Sequence, residues 1–364
     1  MTTVICKGGS GMPPLVSVIV TSYNHAKYIV RALDSVFSQT YKNLEVIVVD
    51  DASTDGSQEI IKEYQCKHDL KFINREENYF SNSASPDENS GVEAILGSHG
   101  KYIAVVDSDD FIYPDKIAMQ VAMMEGNESA VLCYGGIEVM NEDGSRHDYK
   151  GNYKDKFLSG DLFEPLLTYG NHILFIGTLI RKSAFVEIEK PAKGLMQVDW
   201  DVFLKLAKKG PFIADKRTVA CYCRHGSNTW YRADKETLMY KNRMMILDCW
   251  MDEDAWPTAM NIRWTRCMQN PSLDQNAIDS LLIERPKDAL LHFLKCRACV
   301  DDKNYIDAEK HLSLSIEYCD DRLAVLPDLY RLKENFIKDE CAKLSHAEEL
   351  RRRLQSPQVL RACK

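Results

Sequence analysis

Two short apolar runs that each end in acidic residues constrain this chain more than any other feature. The first is Leu44–Asp55 (LEVIVVDDASTD) and the second is Lys101–Phe111 (KYIAVVDSDDF). A β-branched run without alternation is the text of a strand buried on both faces, the usual state of a strand in a parallel sheet. The acids then fall at the carboxyl edge, where open α/β sheets bind their ligands. Asp107, Asp109 and Asp110 are near neighbours in the chain, and carboxylates that close repel unless a cation sits among them. A divalent metal holding a phosphate is the natural occupant.

The surrounding text alternates strand and helix. Val16–Thr21 reads as a strand, Ser22-Tyr23-Asn24 as a turn, and about Ala26 to Ser38 as a helix with Tyr28, Ala32, Ser35 and Val36 inward. Leu44–Val49 is the next strand. Ser53–Asp55 can cap a helix whose apolar positions are Ile60, Ile61 and Tyr64. Lys71–Ile73 is a brief strand, Asn78–Ser90 a long polar loop, Val92–Leu96 helical and Tyr102–Val106 a strand. This order predicts right-handed βαβ crossovers and a parallel sheet. Further on come helix Pro114–Met124, strand Ala130–Tyr134, a hairpin within Gly135–Tyr153 turning at Asp143-Gly144, and strand Leu174–Ile180. Helix Asp199–Lys208 stops at Gly210-Pro211, and Val219–Arg224 is a last strand with Cys221 and Cys223 toward the core.

From about Lys235 the patterns are helical. Lys287–Cys319 reads as two antiparallel helices turning near Asp301–Asn304, one tetratricopeptide-like unit without a second copy, with Cys296 and Cys299 as a buried pair. Leu290, Leu291, Leu294, Leu312, Leu314 and Ile316 need a packing partner. Trp250, Trp256 and Trp264, interleaved with Arg263 and Arg266, suit a lipid headgroup interface, which Asp252, Glu253 and Asp254 oppose. The expected division is a flexible tail over 1–14, a catalytic domain over 15–234, and a helical domain over 235–364 serving as cap, oligomerisation element or docking surface.

Bulk properties narrow the field. A chain of 364 residues exceeds the usual single domain. The net charge of −8 argues against a nucleic-acid binder. Met1–Pro14 lacks the apolar stretch of a secretion signal, and no run approaches the roughly 20 apolar residues of a membrane span. Twelve scattered Cys then read as reduced thiols in the cytoplasm. GxGxxG and GxxxxGK[ST] are both missing, which disfavours dinucleotide dehydrogenases and P-loop enzymes.

The segments VSVIVTSYN, VIVVDDASTDGS, GKYIAVVDSDD, VDWDVFLKLAKKG and YCRHGSN follow one another in that order. Together they resemble the family 2 glycosyltransferases, inverting enzymes of the GT-A fold that use nucleotide-sugar donors. That implies an α/β fold, a Rossmann-like and mostly parallel sheet flanked by helices, over about the first two-thirds of the chain. The resemblance makes Thr21, Tyr23 and Asn24 a nucleoside-binding turn, with Tyr23 offering a ring for stacking. Asp51 would accept from the base, for which the imide N–H of uracil is well suited. Asp50 joins the donor-binding group and also suits orienting the turn, while Ser53 and Asp55 are better read as helix caps.

In the DxD element Asp107-Ser108-Asp109, residues i and i+2 face one way. The family implies that Asp109 coordinates Mn²⁺ or Mg²⁺ and that Asp107 reaches the ribose or the metal. Asp110 either assists the metal or caps the next helix. Asp199 takes the place of the family's catalytic base, although Val198 stands where relatives carry Glu, and Asp201 competes as a helix-start acid. Arg224 suits a phosphate by charge and fork geometry. His225 stands where relatives use a histidine on the metal or the diphosphate.

The implied activity is transfer of a sugar, from a UDP-linked donor by preference, to a hydroxyl of a glycan, lipid-linked or protein-linked acceptor in bacterial surface glycan synthesis. The implied place is the cytoplasm or the inner face of the cell membrane. Homo-oligomer formation through the C-terminal helices and peripheral membrane association stay open. One alternative is a sugar-phosphate nucleotidyltransferase, which normally opens with a Gly-rich, Arg-containing loop. Another is a nucleotide-sugar-binding scaffold without turnover.

Overall fold

Alternating strands and helices in the first part of the chain build one nine-stranded sheet in the computed structural model, which describes residues 12–77, 90–149, 157–191, 195–226, 228, 235–269, 273–302 and 304–338. In chain order the elements are β1 (Val16–Ser22), α1 (Ile29–Phe37), β2 (Leu44–Asp50), α2 (Ser57–Gln65), β3 (Lys71–Asn74), α3 (Ser90–Leu96), β4 (Tyr102–Asp107) and β5 (Phe111–Ile112). There follow α4 (Lys116–Glu125), β6 (Leu132–Met140), β7 (Arg146–Asp148), α5 (Phe163–Tyr169), β8 (Thr178–Arg181), α6 (Lys182–Phe185), α7 (Val198–Ala207) and β9 (Phe212–Cys223).

The α/β class and the GT-A arrangement are as expected, with a parallel half and a mixed half. Strands run β3-β2-β1-β4-β8-β6-β9-β5, and β7 pairs with β6. The first four are mutually parallel. Beyond them β8 is antiparallel to both its neighbours, β6 and β9 are parallel, and β5 is antiparallel to β9. Val18, Val20, Val46, Val48, Ala104 and Val106 pack with Ile29, Leu33 and Val36 of α1 in one apolar cluster. Each fully buried Val, Ile or Leu among them contributes about 1.5–3 kcal/mol. That cluster fixes where β1, β2 and β4 end. Ser22 lies in register with Asp50, and Thr21 with Asp107, so the acids of two strands flank the end of β1.

Several local expectations change. α1 buries Ile29, Ala32, Leu33 and Val36. Ser35 instead uses its hydroxyl on the backbone, donating to Ala32 O and accepting from Ile112 N. The N-cap position of α2 is Gly56, in the left-handed region at φ 95°; Ser53 is engaged by Asp50, while Asp55 Oδ1 accepts from Ser57 N at 3.0 Å at the start of the helix, as the capping reading expects. The first half of the expected strand Leu174–Ile180 is a 3-10 turn, Phe175–Gly177, leaving only Thr178–Arg181 extended. β6 and β9 both run longer than their apolar cores. Gly135 permits this: a Cβ there would lie 2.6 Å from Val219 Cγ1, at the place where the β6/β9 register shifts. Most of the tail 1–14, most of the loop 78–90 and all of 339–364 lie outside the described residues.

The described residues up to Asn228, apart from Leu167–Tyr169, form one compact unit, and those three with the residues from Lys235 form a second. The second unit contains α8 (Lys235–Asp248), α9 (Trp256–Gln269), α10 (Gln275–Glu284), α11 (Ala289–Asp301), α12 (Tyr305–Tyr318) and α13 (Leu326–Lys338). Asp274, Asp288 and Asn304 cap three of them, each accepting from a backbone N–H three residues on. Leu290, Leu291, Leu294, Leu312 and Ile316 are buried in this unit. The tryptophan belt is corrected: Trp256 and Trp264 are core residues, with Trp264 5.2 Å from the Phe293 ring, so neither is free for headgroups. Among the described residues no helix is long and apolar enough to cross a membrane.

Candidate functional site

The carboxyl ends of β1, β2 and β4 meet the end of β9. β5 makes this possible, because its antiparallel pairing with β9 sets Phe111 opposite Cys221 and so carries Asp109 and Asp110 to the segment after Cys223. Asp110 is spent there. It is buried and accepts from Cys223 N at 2.7 Å, which departs from both expected roles, and burial with the charges of Asp109 and Asp107 raises its carboxyl well above the ordinary range. Arg31 ties the same corner by donating to Asp109 O at 2.9 Å.

Asp109 Oδ2 is the focus of the site. His225 Nε2 lies 3.0 Å from it, Asn228 Nδ2 donates to it at 3.0 Å, and His25 Nε2 stands 3.8 Å away. One ligand atom each from His25, Asp109 and His225 can be chosen with all three within 4.8 Å of one another. His225 stacks on Tyr28 with ring centroids 4.3 Å apart, and its backbone N–H donates to Asn228 Oδ1 at 2.6 Å. His25 Nδ1 pairs with Ser108 Oγ at 2.9 Å. Burial lowers the His25 pKa, with the Asp109 charge working the other way.

Asp107 accepts from Thr21 Oγ1 at 2.7 Å. Its carboxyl is pushed up to about 6, first by desolvation and then by the Asp109 charge. The residue nevertheless keeps open surface.

At the neighbouring strand end Asp50 is fully buried and holds its own turn, accepting from Ser53 N at 2.8 Å and Ser53 Oγ at 2.6 Å. Asp51 faces Arg75, whose Nε is 3.7 Å from Oδ1. Asn24 has φ 54° and clamps this corner: its amide oxygen accepts from Thr54 N and its N–H donates to Ser53 Oγ. Tyr23 is 47% exposed beside it.

Asp199 opens α7, which Trp200 anchors by burying its ring and donating Nε1–H to Leu166 O. Asp199 accepts from Asn171 Nδ2 at 2.7 Å and from Trp200 N at 2.8 Å. Burial leads its pKa up to about 6, and the Asp107 charge adds to the rise, so base candidate and DxD acids share one field. Asp201 is buried and paired with Lys205 at 2.7 Å. Arg224 is exposed beyond β9, with its backbone N–H on Met140 O.

Sequence reasoning did not single out His25, Asn228, Asn171, Tyr28 or Arg31 as site residues. His25 and Asn228 had a signal, since each adjoins or lies inside a motif used for the resemblance. Asn171 had none, because only the fold brings it to Asp199.

Residues 17–187 match the family model of Glycosyl transferase family 2. The chain carries a family 2 glycosyltransferase domain. A glycosyltransferase from Rickettsia felis described as uncharacterized is 34% identical over 152 residues, 42% of this chain and 23% of the relative. The chondroitin synthase of Escherichia coli is 29% identical over 220 residues, 59% of this chain and 30% of that protein. The chain thus spans under a third of the length of these two relatives. Among solved structures, S. aureus TarS 1-349 in complex with UDP-GlcNAc matches with a TM-score of 0.56 and 18% identity, covering 92% of this chain and 90% of that one. That likeness is one of fold, and it is the GT-A fold of the glycosyltransferase domain.

Proposed function

We propose that this domain transfers a sugar from a UDP-linked donor to an acceptor hydroxyl with inversion, in one displacement. The observation that carries the reading is Asp199: a carboxylate at the start of α7, held by Asn171 Nδ2 at 2.7 Å, with its pKa raised to about 6 by burial and by the charge of Asp107. A general base works best when its pKa lies near the operating pH. Asp199 takes the acceptor proton as the oxygen bonds to the anomeric carbon, and the bond to the diphosphate breaks on the opposite face. Asn171 orients the carboxylate through Oδ2. Tyr23 and Asp51 receive the base, Thr21 holds Asp107 toward the ribose, and Arg224 meets the diphosphate as it leaves.

The donor set around Asp109 fits a divalent cation, since imidazole nitrogens converge on one carboxylate oxygen beside a second acid. Asp109 and His225 would hold Mn²⁺ or Mg²⁺, which would supply counter-charge for the departing diphosphate. The likeness to chondroitin synthase favours a polysaccharide acceptor of the bacterial surface. Incubation with UDP-sugars, divalent cation and saccharide acceptors, with the product anomer read by NMR, tests the reading. A β-linked product from an α-linked donor is expected. A retained configuration, or pyrophosphate release from a nucleoside triphosphate and a sugar phosphate, overturns it.

A further inference from the structure

We propose that His25 is a third protein ligand of the cation. His25, Asp109 and His225 would then form a two-histidine, one-carboxylate site that selects a first-row transition ion over Mg²⁺. The inference rests on the metal reading above and adds a residue and a selectivity to it.

The hydrogen bonds distinguish the two histidines. Asp109 Oδ2 already has His225 and Asn228 at 3.0 Å, so neither hydrogen bonding nor charge requires another imidazole. His25 Nε2 is nevertheless aimed at the same oxygen from 3.8 Å, beyond hydrogen-bond reach. Two ligands at right angles on a cation about 2.1 Å from each stand roughly 3 Å apart, and wider angles open that spacing. Separations of 3.0 and 3.8 Å fall within the range that ligands of one ion span.

Both rings are held in place. Ligating histidines usually fix their orientation through the other ring nitrogen, and His25 Nδ1 pairs with Ser108 Oγ at 2.9 Å. A proton on Nδ1 given to that hydroxyl leaves the Nε2 lone pair facing Asp109. The His25 ring also meets His225 edge-on, at 5.7 Å and 90°, while His225 lies on Tyr28. Ser108, the middle residue of the DxD element, thereby gains a role of its own, the positioning of a ligand.

Two imidazoles change what the site prefers. Mg²⁺ takes oxygen ligands and gives up water reluctantly, whereas nitrogen donors favour transition ions. Mn²⁺ serves as the probe, titrated by electron paramagnetic resonance into the full chain with stoichiometric UDP, with ¹⁴N couplings read by pulsed methods. Two directly bound imidazoles are expected in the wild-type protein and one in His25→Gln. Mn²⁺ affinity should fall at least about 10-fold in that variant, with Mg²⁺ affinity, measured by competition, changing far less. A single imidazole in the wild-type spectrum overturns the inference without recourse to any variant. So does unchanged Mn²⁺ affinity in His25→Gln while Asp109→Asn loses it, and in that case the metal reading survives. No protein ¹⁴N coupling in the wild type, or binding unaffected by Asp109→Asn, removes the metal reading and this inference together.

Discussion

The ends of β2 and β4 share nearly the same text, VVDD and VVDSDD, yet they are built in different ways. At β2 the buried acid is satisfied locally: Asp50 accepts from Ser53, three residues on, and Asn24 from the end of β1 locks the adjoining turn. At β4 the partners arrive from far along the chain, Cys223 for Asp110, His225 and Asn228 for Asp109. Each end divides its acids between folding and the cleft. Asp50 and Asp110 bond to backbone or turn groups, while Asp107 stays exposed and Asp109 faces the side chains of His225 and Asn228. Only the fold determines which donors reach a carboxylate.

The largest expected effect comes from the long-range end. Asp109→Ala should abolish turnover and metal binding while the melting temperature shifts by only a few degrees, because removing one crowded charge relieves Asp107 and Asp110 as it gives up two hydrogen bonds. Sugar transfer assays beside thermal melts check this, and a collapse of the fold would show that Asp109 is structural, like Asp110. Next comes Asp199→Asn, expected to lower kcat by about 10²–10⁴ with donor affinity kept. Asp201→Asn should not reproduce that pattern, since Asp201 is engaged by Lys205. The wild-type rate should fall below about pH 6 as Asp199 takes up a proton.

Asp199 also carries a stability signature whose sign is fixed. Its folded pKa is raised above the unfolded value of 3.8, so ionisation opposes folding; the penalty is absent below about pH 4 and complete above about 6. Asp199→Asn should therefore be more stable than wild type at pH 7, on the order of 1–2 kcal/mol after allowance for solvent screening, with no such gain at pH 4. Denaturant titrations at the two pH values decide it. Equal gains at both would mean that the carboxylate is not the strained group.

The parallel half of the sheet and the order of its acids were legible because unbroken β-branched runs have few other uses. The mixed half was less legible: β6 and β9 pass through Gly135, Gly136 and a charged stretch from Asp215 to Arg217 that no strand pattern marks. The site was half legible. Residues at strand ends announce themselves, but His25 lies on the chain between a turn and a helix, and its value comes from Ser108 and Asp109, residues more than eighty positions away. The tryptophans of α9 did not decide the matter by themselves, because aromatic and basic residues at helical spacing look the same whether they face lipid or a core, and here Trp256 and Trp264 are core.

A pair of variants tests the division of labour at β2 itself. Asp50 is fully buried and holds Ser53 through both oxygens, one from the backbone N–H and one from the hydroxyl. Asp50→Ala should destabilise the domain by about 1–3 kcal/mol, the cost of leaving buried donors unpaired, and should weaken UDP only through the disordered turn. Asp51→Ala is expected to lower UDP affinity by roughly 1–2 kcal/mol for a lost hydrogen bond to the base. Isothermal titration with UDP and chemical denaturation on the same two variants give both coordinates. If Asp51→Ala loses stability and keeps UDP, the acid that faces the cleft at β2 does not read the base, and the likeness between the two strand ends stops at their sequences.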